Sequence, residues 1–78
     1  MEELLNFLNT SFWNRLSATV YTRALKKGGY VQITLDMENL KAKREMFHPD
    51  GRLAMPSEFV EPYLILKYSR EFFEAEVA

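Results

Sequence analysis

The chain has 78 residues, a net charge of −1 and no cysteine, which sets the expectation of one domain over residues 1–78 built on one hydrophobic core. Without thiols, disulfides, thiolate metal sites, iron–sulfur clusters and thiol catalysis are excluded. The composition, 47% hydrophobic and 14% aromatic, is that of a globular protein and not of a disordered one.

A domain of this size buries only about 60% of the surface its unfolded chain exposes, so a homodimer is an expected form. Met1-Glu2-Glu3 is acidic where a signal peptide starts basic, and the reading is a cytoplasmic protein. No apolar run approaches the ~20 residues of a membrane-spanning helix, so no membrane partner is expected. Charge is unevenly placed. Residues 15–44 hold seven cations against two anions, and residues 56–78 hold five anions against two cations.

In chain order, Leu4, Leu5 and Leu8 stand at helical spacing behind Glu2 and Glu3, which predicts a short amphipathic helix over residues 2–9. Phe12 and Trp13 follow as a bulky apolar pair, with Trp13 expected in the core. Residues 16–27 fit two patterns. As a helix they have Ser11 as N-cap, Phe12, Leu16, Val20 and Ala24 on one side, and Lys26-Lys27-Gly28 as the end. As a strand, Leu16 to Ala24 alternate with Ser17 to Leu25.

A hairpin through Lys26-Lys27-Gly28-Gly29 places Leu25 opposite Tyr30, Ala24 opposite Val31, Thr22 opposite Ile33 and Val20 opposite Leu35. Apolar partners then share one face, and the β-rich run Ala18–Thr22 agrees, so the hairpin is the expected structure. A turn through Met37-Glu38-Asn39 next sets Leu35 near Leu40 and Ile33 near Ala42, with Lys41, Lys43 and Glu45 pointing outward. Pro49-Asp50-Gly51 between apolar flanks predicts a turn, because proline presets φ and glycine accepts a positive one. A short strand at Leu53–Met55 follows. After Glu61-Pro62, the run Tyr63–Tyr68 is apolar on both faces and is read as a buried strand, and Ser69 as the cap of a last helix that contributes Phe72, Phe73 and Val77. One of the adjacent pair Phe72-Phe73 is expected to stay exposed, since neighbours on a helix differ by about 100°.

The fold class expected is therefore α+β: an antiparallel β-meander of about four to five strands, with a short N-terminal helix and a C-terminal helix packed on one face. In this register the outward face carries Tyr21, Arg23, Leu25, Tyr30, Gln32, Thr34, Lys41 and Lys43. Of these, Tyr21, Arg23, Tyr30, Gln32, Lys41 and Lys43 form the candidate partner-binding set. Basic groups with exposed rings can hold single-stranded nucleic acid, but the same pattern also describes an ordinary solvated sheet face. The acidic end, through Glu71, Glu74 and Glu76, could complement the basic strands of the same chain or of a second copy.

No catalytic, cofactor or metal site is expected. His48 is the only histidine and sits, with Asp50, at a turn that wants polar residues for backbone reasons. Ser57 and Ser69 belong to no nucleophile motif, and three glycines build no phosphate-cradling loop. The expectation is a non-catalytic protein-interaction module: a homodimer, or an accessory, adaptor or inhibitor protein of the kind phage and mobile elements encode. A nucleic-acid binder on the basic, tyrosine-bearing face is the alternative.

Overall fold

The computed structural model describes residues 1–10, 13–55 and 57–77, the side chains of 10 and 74–77 excepted. In order, the elements are α1 (Glu2–Thr10), β1 (Asn14–Arg15), β2 (Val20–Ala24), β3 (Tyr30–Asp36), β4 (Lys41–Phe47), β5 (Leu53–Met55) and α2 (Pro62–Val77). The five strands lie in sequence order and every neighbour is antiparallel. This is the expected α+β meander between two helices. Ser11, Phe12 and Pro56, and the side chains of Glu74, Glu76 and Val77, lie outside the described residues.

Strict alternation makes β3 the centre of the sheet. Val31, Ile33 and Leu35 are buried, while Tyr30, Gln32, Thr34 and Asp36 are half-exposed on the other side. The buried set meets Leu4 and Leu8 of α1, Trp13, and Ile65, Leu66 and Phe73 of α2 in one apolar cluster. Both helices thus contribute to the core on one face of the sheet. Leu4 and Leu8 are i, i+4 neighbours on α1, whose Glu2 and Glu3 stand at the positive end of the helix dipole.

The expected pairing of β2 with β3 is corrected. Ala24, not Leu25, lies opposite Tyr30, so Tyr21 pairs with Ile33 and Arg23 with Val31. Leu25 is drawn into the loop because its carbonyl accepts the Gly28 N–H at 3.1 Å and its N–H donates to the Gly29 carbonyl at 3.1 Å. Gly28 and Gly29 both take positive φ, and a Cβ on Gly29 would collide with the Phe47 carbonyl. The one-residue shift turns every β2 side chain to the face opposite the expected one.

The β3–β4 turn is also longer than expected, running through Leu40, so that Leu35 pairs with Ala42 and Ile33 with Arg44. Asp36 holds it, accepting the N–H groups of Glu38 at 3.2 Å and Asn39 at 3.1 Å. These bonds, led by the one from the Asn39 side-chain amide, keep the Asp36 carboxyl below its ordinary pKa. The shift is by two residues, which preserves the facing of Lys41, Lys43 and Glu45.

Tyr63–Tyr68 is helical, not a strand, and Ser69 lies in the middle of α2 instead of capping it. Pro62 opens α2 where its missing N–H is harmless, and Pro62, Ile65, Leu66, Ser69 and Phe73 face inward while Tyr63, Lys67 and Arg70 face solvent. β1 pairs Asn14 with Thr22 and Arg15 with Tyr21, and no strand was expected there. The Pro49-Asp50-Gly51 turn forms as expected, with the Gly51 N–H donating to the His48 carbonyl at 2.9 Å and Gly51 at φ 88°. β5 then pairs with β4 across a bulge at Ala54.

Candidate functional site

One face of the sheet is covered by α1 and α2, and among the described residues the other carries no helix. From the registers, the uncovered face can be written as rows that cross the strands. The first row is Ala24, Tyr30, Phe47 and Leu53, spanning β2 to β5. The next is Thr22, Gln32 and Glu45, and the third is Val20, Thr34 and Lys43. The last pairs Asp36 with Lys41. Apolar groups therefore collect at one end of the face and charges at the other.

The apolar row is built by the two hairpins at that end. Tyr30 and Phe47, opposite each other on β3 and β4, stack with ring centroids 4.8 Å apart and planes 17° from parallel. Their stacking adds to what the buried area contributes. Gly28, at φ 92°, sits against Pro49, which joins the two hairpin loops beside the row. Leu53 is 45% exposed, a large aliphatic group facing water at the sheet edge.

At the charged end the lysines already have partners in the chain. Lys41 forms an ion pair with Glu61, and Lys43 lies 3.5 Å from Glu45 with its ammonium 4.9 Å over the Phe59 ring. The backbone exchange between Ala42 and Val60, at 2.9 and 2.8 Å, holds Phe59 and Glu61 beside β4. Counting Asp36, Glu45 and Glu61 against Lys41 and Lys43, the face is not basic.

Of the six candidate residues, Tyr30, Gln32, Lys41 and Lys43 stand together on this face. Tyr21 and Arg23 do not. Tyr21 is 1% exposed, with its hydroxyl donating to Asn9 Oδ1 of α1 at 3.2 Å. The Arg23 guanidinium lies 3.9 Å from the Phe73 ring centroid, under α2. Leu25, also expected outward, is in the loop and packs at the margin of the core. The register shift in β2 removes all three. In their place it brings Val20, Thr22 and Ala24.

Phe47, Leu53 and Phe59 complete the face and were not among the candidates. Continuing the alternation of Lys41, Lys43 and Glu45 by two residues reaches Phe47, so that signal was present in the sequence. Phe59 depends on the bridge at Val60, which has no sequence signature.

The remaining candidates resolve simply. The His48–Asp50 turn is exposed, and Asp50 accepts the Arg52 backbone N–H at 3.0 Å and its Nε at 2.6 Å. The backbone bond first, then the guanidinium, holds the Asp50 carboxyl below its ordinary pKa. Among the described residues no three His, Asp or Glu side chains converge on a metal position. A cavity of about 70 Å³ between α1 and α2, lined by Met1, Glu3, Leu4, Pro62, Tyr63 and Leu66, is well below the roughly 300 Å³ of a small-molecule site. Of the Phe72-Phe73 pair, Phe73 is buried against Trp13, ring centroids 5.4 Å apart, and Phe72 is half-buried with the Arg44 guanidinium 5.7 Å over it. No described helix is long and apolar enough to cross a membrane. Glu71 is exposed on α2, which packs on the face opposite Lys41 and Lys43. Compared with protein-family models, with curated proteins and with solved structures, the chain matches none.

Proposed function

We propose that this chain is a small non-catalytic protein-interaction module, of the accessory, adaptor or inhibitor kind, that binds through its uncovered sheet face. The observation that carries the reading is the apolar row Ala24–Tyr30–Phe47–Leu53, which crosses four strands on a face without helices. Such a row offers rigid aromatic area at one end of a patch whose other end is polar, and aromatic anchors beside polar groups are what interfaces use. Tyr30, Gln32, Lys41 and Lys43 stay in the binding set, and Phe47, Leu53 and Phe59 join it.

The nucleic-acid alternative keeps Tyr30, Lys41 and Lys43 but loses Tyr21 and Arg23. Its remaining cations are matched by Glu45 and Glu61, so little counterion release is left to drive binding. The test of the protein reading is capture of a partner from the source cells with tagged wild type and with Phe47→Asp. A protein held by the wild type and lost from the folded variant supports the reading. Equal capture by both would remove the sheet face from it.

A further inference from the structure

The pattern of the uncovered face is self-complementary in one orientation, and we infer that its occupant is a second copy of this chain. This deepens the interaction reading and rests on it. A two-fold axis lying in the interface, parallel to the strands and midway between β3 and β4, places β3 of each copy over β4 of the other. Tyr30 then meets Phe47 of the second copy, Gln32 meets Glu45, Thr34 meets Lys43 and Asp36 meets Lys41. Further out, Ala24 covers Leu53 and Val20 lies toward Phe59.

No like charge lies over like charge in this arrangement, and the aromatic row is covered by its own symmetry mate. The other in-plane axis, across the strands, sets Tyr30 and Phe47 over Asp36 and Lys41 and buries charge against rings. The row order therefore selects one geometry. It is that of two aligned sheets packed face to face, whose mean strand directions stay within about 30° of each other.

The extent of the face agrees with a modest dimer. Four strands about 4.8 Å apart and up to seven residues long give a footprint of roughly 400 Å² per copy, about 800 Å² for both before side-chain relief is counted. That lies below the roughly 1,200 Å² of interfaces that persist and among the weak, transient ones, and dissociation in the high-micromolar range is expected.

Light scattering from low micromolar to near-millimolar concentration reads the mass directly. The expected result is a rise from one chain to two, abolished by Phe47→Asp and by Leu53→Asp. The second of these variants sits on the exposed edge strand and is expected to retain the far-UV spectrum of the wild type. The chain has no cysteine, so single-cysteine variants report the arrangement. Ala24→Cys mixed with Leu53→Cys is expected to link through a short bis-maleimide, while Ala24→Cys alone is not. A mass of one chain at every concentration, a dimer indifferent to both aspartates, or linkage of Ala24→Cys to itself overturns the inference. None of those outcomes touches the interaction reading, which the capture of a different protein tests separately.

Discussion

Inward from β3 stand Val31, Ile33 and Leu35 under two helices, and outward stand Tyr30, Gln32, Thr34 and Asp36 under none. The cations divide in the same way. Arg23 and Arg44, inward, hold their guanidinium carbons over the Phe73 and Phe72 rings, whereas Lys41 and Lys43, outward, meet carboxylates. A planar, weakly hydrated guanidinium can stack on a ring beneath a helix, while a compact ammonium keeps to the wetter side. The lesson is that residue charge did not decide facing here. Arg23 occupies a core-facing position that a hydrophobicity rule gives to an apolar residue.

The sharpest way to break the contrast between faces is to truncate neighbours on β3. Ile33→Ala, at a position with 0% exposure, is expected to cost about 3 kcal/mol by urea denaturation, as deletion of buried methylenes does. Thr34→Ala, one residue on and outward, is expected to cost less than about 1 kcal/mol. Equal costs would mean that the uncovered face is not open.

Gly29→Ala tests the loop that fixes the facing of β2. With φ at 81° and the Phe47 carbonyl in the way of a Cβ, the expected loss is about 2 kcal/mol or more. Gly51→Ala, at φ 88° with open space around it, should lose about 1 kcal/mol from backbone strain alone.

Two substitutions on the covered face are expected to be neutral or favourable. Among the described residues the buried Arg44 Nη1 and Ser69 hydroxyl find no hydrogen-bond partner, and desolvation lowers the Arg44 pKa. Arg44→Met and Ser69→Ala should each change stability by between zero and about +1 kcal/mol, since an unpaired buried polar group is removed. A clear loss in thermal or urea unfolding would show that those groups have partners in solution.

The smallest expected effect is a pH dependence. Asp36 and Asp50 have folded pKa values below their unfolded ones, so their contribution is present above the ordinary carboxylate range and lost as pH falls through the folded value. Below about pH 5 the wild type should therefore lose stability more steeply than Asp36→Asn, and the two curves should converge in acid. Parallel curves would contradict the role given to Asp36 in the β3–β4 turn.

How much of this was legible follows from the same contrast. β3 alternates cleanly, and its pairing with β4 keeps that parity, so Tyr30, Gln32, Lys41 and Lys43 could be placed from the sequence. In β2 the alternation is ambiguous, because Val20, Thr22 and Ala24 look at least as apolar as Tyr21 and Arg23. The wrong choice was the one that kept an arginine out of the core. The register itself was set by Leu25 entering the loop, which hydrogen bonding between loop backbone groups decides and composition does not. Tyr63–Tyr68 failed for another reason. A short run apolar all round fits a buried strand or a helix equally, and Ser69, small enough to lie flush against the core, resembled a cap. β1, two exposed polar residues, has no apolar pattern to read.

The measurement closest to the central claim is the set of cross-strand Hα–Hα contacts between β2 and β3 in an NMR spectrum of the protein. The register found here is expected to give contacts between Thr22 and Gln32 and between Ala24 and Tyr30, the close pairs of the ladder. Contacts from Thr22 to Ile33 and from Ala24 to Val31 would contradict it, turning Tyr21 and Arg23 outward and taking Thr22 and Ala24 off the uncovered face.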